Sequence, residues 1–118
     1  MKRFEQINQT DAEGTHKITY LATKGLIQFR LGSPDAGRRL YRMAILEAKG
    51  KRDTRSVVWA LIHFAGEESR FDPIKAQCLI QEAVADVSKL PKVQQAIATR
   101  LIERLPHRYS ALGEIKRS

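Results

Sequence analysis

A chain of 118 residues, 42% of them apolar, can bury a core without metals or disulfides and is too apolar for a disordered polymer. Its net charge of +8 and pI near 10 favour an anionic partner, without choosing among nucleic acid, acidic protein and membrane surface. The longest apolar run, Val57 to Ile62, is six residues, far short of a membrane span, so no membrane partner is expected.

Residues 1–15 read as a loose polar arm, with Thr10-Asp11-Ala12-Glu13 at capping-box spacing but Gly14 directly behind it. The arm carries two early positive charges and no apolar core after them, so it is not a secretory signal and the expected compartment is cytoplasmic. Residues 16–31 admit two readings. As a β-hairpin, Lys24-Gly25 is the turn and Ile27, Phe29 and Leu31 alternate with Gln28 and Arg30. As a helix, Ile18, Leu21, Ala22, Gly25 and Phe29 share one face. The alternation and β-branched content lean towards the hairpin.

Helical signals sharpen at Ser33-Pro34-Asp35, an N-cap followed by a first-turn proline and acid. That helix is expected over 34–49, with Ala36, Leu40, Met43 and Ala44 inward and Gly50 ending it. Asp53 or Thr54 caps the next helix, 54–65, which is apolar nearly all round and therefore belongs at the centre of a bundle. Trp59 and Phe64 are expected inside it, His63 is expected as a hydrogen-bonded core histidine, and Gly66 as its stop. Asp72-Pro73 opens a helix over 73–90 with Ala76, Leu79, Ile80, Ala83, Val84 and Val87 inward. Pro91 breaks the chain before a helix over 91–105, whose Val93, Ile97, Leu101 and Leu105 recur every four residues. The tail holds at most one more short helix before a loose basic terminus, 112–118. No internal repeat is legible.

The fold class is thus mainly α: a single compact domain of four to five helices, with 16–31 either a hairpin or a further helix. The lone Cys78 reads as a small buried hydrophobe in a reducing compartment.

Function is sought in the uneven charge. Residues 38–55 hold seven basic and two acidic residues, a net +5, whereas 56–99 come to −1. At 100° per residue Arg38, Arg42 and Lys49 form one stripe with Arg39 beside it, and Lys51, Arg52 and Arg55 extend it through the following loop. A cationic helix running into a cationic loop suits a phosphate backbone. With Tyr41, Tyr109, Tyr20 and Phe29 a thin stacking platform, duplex DNA or structured RNA fits better than single strands. The first expectation is therefore a nucleic-acid-binding or regulatory protein using Arg38, Arg39, Arg42, Lys49, Lys51, Arg52 and Arg55. The second is an adaptor or inhibitor whose basic face docks on an acidic protein.

A third reading comes from Glu68-Ser69-Arg70-Phe71-Asp72-Pro73, which resembles the local motif of the soluble lytic transglycosylases. The resemblance implies a peptidoglycan-cleaving activity with Glu68 as general acid. It covers six residues; the family's glycine-rich stretch leading to Leu-Met-Gln is absent, and 45 residues follow Pro73. His16, His63 and His107 have no partners at ligand spacing, and no phosphate-binding loop or nucleotide signature occurs. No catalytic residue, metal, cofactor or small-molecule substrate is expected.

Overall fold

The computed structural model describes residues 14–105. They form five helices: α1 (Gly14–Arg30), α2 (Pro34–Gly50), α3 (Thr54–Glu68), α4 (Pro73–Val87) and α5 (Lys92–Arg104). The N-terminal arm up to residue 13, the optional C-terminal helix, the basic tail and Tyr109 lie outside the described residues.

Residues 16–31 are helical, not a hairpin. Gly25 is not a turn residue here; it sits inside α1 because an added Cβ would stand 2.8 Å from the Tyr41 ring. The helix ends at Gly32, whose φ of 85° places Ser33 N to donate to Gln28 O and Gly32 N to Phe29 O. This left-handed C-terminal closure satisfies carbonyls that the last turn leaves open. The closure recurs after α2, but there the left-handed residue is Arg52, φ 56°, rather than Gly50. Asp53 N bonds Ala48 O and Arg52 N bonds Lys49 O. The Asp53 side chain then accepts from Ser56 N, and Asp72 accepts from Lys75 N at the start of α4.

The expectation that α3 is central holds: it touches each of the other four helices. Nine of its fifteen residues are buried, Phe64 among them. Around it the helices are arranged in pairs. α1 packs most extensively on α2 and α3 on α4, while α1, α3 and α5 also meet in succession.

The helix starts recur at a regular spacing, which the sequence reading does not register. α1, α3 and α5 begin at Gly14, Thr54 and Lys92, and α2 and α4 at Pro34 and Pro73. The period is close to 39 residues. Under it Gly37, Tyr41 and Ala44 fall on Ala76, Ile80 and Ala83, all of them buried. The chain is a short stack of helix pairs, in which each pair covers a face that it could not bury alone.

Inner faces shift accordingly. On α2 the buried residues are Gly37, Tyr41, Ala44, Ile45 and Ala48, while the expected Met43 is half exposed. On α4 Val84 is half exposed. On α5 Ala98 and Ile102 are buried, whereas Val93 and Ile97 face solvent. Cys78 is exposed, not buried.

α5, the last described helix, differs from α3 on its outward face. Val58, Leu61, Ile62 and Ala65 of α3 are buried; their counterparts on α5, Ala96, Thr99, Arg100 and Glu103, are exposed. An outward face made of small and polar residues does not need a further helix pair to cover it. No helix among the described residues is long and apolar enough to cross a membrane.

Candidate interaction surface

The one-position rotation of α2 changes the meaning of its arginines. With Tyr41 and Ala44 as the inner face, Arg38 and Arg42 flank the core instead of lying opposite it. Arg38 reaches the end of α3, where Nε and Nη2 donate to Glu68 at 2.7 and 2.8 Å, while Nη1 bonds Asp35 at 2.9 Å. Arg42 lies over the Phe64 ring, 5.4 Å from its centroid, and meets Glu82 of α4 at 3.5 Å. Two of the seven proposed phosphate contacts are therefore engaged by carboxylates from elsewhere in the fold.

Arg39, Lys49, Lys51, Arg52 and Arg55 are exposed and make no ion pair with a described residue. Arg39 stands apart, roughly 15 Å along α2 from Lys49 at 1.5 Å per residue. The other four gather at the α2–α3 turn.

Two acids end α3, at the pole where the helix dipole disfavours them, and both are buried. Each is held by an arginine from another helix. Arg30, the last residue of α1, donates to both oxygens of Glu67 at 2.8 and 3.0 Å. Arg70 approaches Glu67 at 3.7 Å from the loop below. Both Arg30 and Arg38 are held above the ordinary arginine pKa, chiefly by their hydrogen bonds to Glu67 and Glu68. Sequence reasoning did not find this clamp. Its only local signal was Glu67-Glu68, a pair of acids closing an otherwise apolar helix.

The clamp bears on the transglycosylase resemblance. That role needs a carboxyl that is protonated and open to a cleft. Glu68 is 1% exposed and both of its oxygens accept guanidinium hydrogen bonds, so its carboxyl is packed against Arg38 and is not open to a cleft. Among the described residues no group of three His, Cys, Asp or Glu is placed to hold a metal ion.

A groove of about 500 Å3 opens between α1 and α3. Ile18, Ala22 and Leu26 form its α1 wall; Arg55, Trp59 and His63 form its α3 wall. Trp59, expected inside, is 46% exposed, with its ring 5.2 Å from that of His63. His63 likewise faces the groove rather than the core. Its neighbours still strip water from part of the ring, and this lowers its pKa below the ordinary 6.5, partly offset by the charge of Glu67. A histidine depressed in the folded state favours folding above the unfolded pKa, and that contribution is lost as pH falls through the folded value. In an NMR titration His63 should show a midpoint below 6.5, and His63→Gln should lessen the loss of stability on acidification. A midpoint at or above 6.5 would contradict the desolvated placement.

Tyr41 is a floor residue of the same groove, reaching it from α2 past Gly25. It is 2% exposed and stacked on Phe64 at 5.1 Å, with interplanar angle 6°. Burial, then the nearby Glu67 charge, pushes its phenol well above the usual tyrosine range. Neither Tyr41 nor the buried Phe29 offers a ring for stacking bases; Tyr20 is the exposed one, with Lys24 over its face. The chain matches no protein-family model, no curated protein and no solved structure.

Proposed function

We propose that this chain is a protein-interaction module that docks an acidic partner through the cationic α2–α3 turn. One observation carries the reading: Lys49, Lys51, Arg52 and Arg55 are exposed at that turn and make no ion pair with a described residue, beside a groove with an apolar floor. A phosphate-tracking stripe along α2 would need Arg38, which is held by the buried Glu68, whereas Arg42 is half exposed and meets Glu82 only at 3.5 Å. A stack of helix pairs also offers a rigid surface of the kind used to hold a partner. The proposed compartment is the cytoplasm, since the single cysteine cannot form an internal disulfide.

Nucleic acid is the second reading, favoured by the same four cations together with Arg39. Its contacts would be fewer than seven. With about four neutralised phosphates, log K should fall against log salt with a slope near −3 to −4.

Pull-down from the native host with and without nuclease separates the two. A partner retained after nuclease treatment supports the adaptor reading; a partner lost with it supports nucleic acid. In either case Lys51→Glu/Arg52→Glu/Arg55→Glu should remove binding by tenfold or more without lowering thermal stability. Undiminished binding by that variant would show that the turn is not the docking surface.

A further inference from the structure

The α1–α3 groove lies beside the cationic turn, and its walls differ from the rest of the exposed surface. On α3 the residues Arg55, Trp59, His63 and Glu67 follow at four-residue steps and so form one stripe. At its upper end stand Asp53, whose carboxylate caps Ser56, and the exposed Lys51, Arg52 and Arg55, none of which is ion-paired to a described residue. One turn below His63, beyond the groove lining, one carboxylate, Glu67, faces two guanidiniums, Arg30 and Arg70, each more than half exposed. Both ends are therefore net cationic, and between them stand an indole, an imidazole and the aliphatic wall of α1.

The same stripe is apolar on the next helix. In the 38-residue register between α3 and α5, Val93 and Ile97 occupy the positions of Arg55 and Trp59, and both are exposed. The outward face of α5 is small and polar, so in that register the exposed apolar residues of α5 stand at the positions equivalent to the groove wall of α3. Under the groove the Tyr41 hydroxyl, on a side chain only 2% exposed, has no hydrogen-bond partner among the described residues. A buried hydroxyl of this kind is costly unless something accepts its proton or donates to it.

Resting on the adaptor reading, we infer that the α1–α3 groove binds an extended acidic peptide segment of the partner. An aromatic or branched aliphatic side chain of the peptide packs on Trp59 between two acidic positions. One acid meets Arg55 and the other the Arg30–Arg70 pair, while a peptide backbone group bonds the Tyr41 hydroxyl. The dimensions agree. From Arg55 to Glu67 the stripe runs roughly 18 Å at 1.5 Å per residue. Five or six extended residues span about the same length at ~3.3 Å each.

The test selects phage-displayed random dodecapeptides on the full chain, then titrates purified binders while following emission from Trp59, the only tryptophan. Enriched peptides are expected to carry two or more acids flanking an apolar residue. They should shift Trp59 emission to the blue and bind at least tenfold more weakly to Trp59→Ala and to Thr23→Tyr. Both positions are exposed, and melting curves check that each variant folds.

Acidic binders indifferent to both groove variants but lost with Lys51→Glu/Arg52→Glu would overturn the groove site and leave docking at the turn intact. Enrichment of peptides without acids, or no enrichment, would overturn the groove site too. If the pull-down then retains nothing after nuclease, and a duplex oligonucleotide binds the turn without moving Trp59 emission, the adaptor reading fails with it.

Discussion

Replacing Arg38 by methionine should destabilise the fold by roughly 3 kcal/mol, far more than an exposed arginine can contribute. The cause is the partner it leaves behind. Glu68 is 1% exposed, and both of its oxygens depend on the Arg38 guanidinium for hydrogen bonds. A buried carboxylate without that partner loses its compensation while its desolvation remains. The figure sits at the lower end for broken buried pairs because the Arg38 side chain keeps a quarter of its exposure. Arg39→Met, one residue away and exposed, should change stability by less than about 0.5 kcal/mol. Arg38→Met/Glu68→Leu should recover most of the loss, since two apolar groups impose no unpaired charge.

Urea denaturation of the three variants decides the matter through the transition midpoint. An Arg38→Met midpoint equal to that of the unmodified chain would remove the clamp as a structural element. The result also governs binding experiments. Arg38→Glu would set a second carboxylate against Glu68 and unfold the domain, so any loss of binding it caused would say nothing about phosphate contacts. Charge reversal is informative at Lys51, Arg52 and Arg55.

The second large effect concerns the crossing of α1 and α2. Alanine at Gly37 places a Cβ 2.5 Å from Phe29 Cδ2 and 2.9 Å from the carbonyl oxygen of Gly25. Alanine at Gly25 meets Tyr41 Cδ2 at 2.8 Å and the carbonyl oxygen of Gly37 at 3.1 Å. Phe29 and Tyr41 are each 2% exposed and packed ring to ring, with centroids 6.0 Å apart, so neither can simply move aside. Overpacking of this kind costs about 1–3 kcal/mol. Alanine also gains up to ~1 kcal/mol of helix propensity over glycine, which offsets part of the cost.

Gly37→Ala should therefore be net destabilising. Gly50→Ala, with nothing within 4 Å of the new methyl, should be neutral or stabilising. Thermal melts of the two variants read the contrast, and an equal response from both would mean that the helices do not approach through the glycines. Because Tyr41 passes Gly25 to reach the groove, Gly25→Ala should also weaken any ligand that uses the Tyr41 hydroxyl.

Local chemistry was enough for the starts of α2, α3 and α4. Ser33-Pro34-Asp35, Asp53 and Asp72-Pro73 mark starts that depend on residues within one turn, and each helix begins where those marks stand. The apolar circumference of α3 likewise implied its central position, because burial on every side requires neighbours on every side.

Whatever depended on a partner distant in sequence was not readable in this way. At 16–31 the local pattern admits both hairpin and helix, and Gly25 looks like a turn residue until α2 brings Tyr41 against it. Arg38 looks the same as Arg39 in sequence until α3 delivers Glu68 to it, 30 residues on. Trp59 looks like a core residue until the α1–α3 seam opens beside it. The 39-residue spacing was hidden because its equivalent positions share burial rather than identity: Tyr41 answers to Ile80, and Gly37 to Ala76.

The amino-acid sequence on its own thus determined where helices begin and which one is central, since caps and apolar circumference act over a few residues. Only the tertiary structure decided which arginines face solvent and where the groove lies. Those outcomes depend on the rotation of each helix about its axis, and that rotation is set by the packing of residues from separate helices.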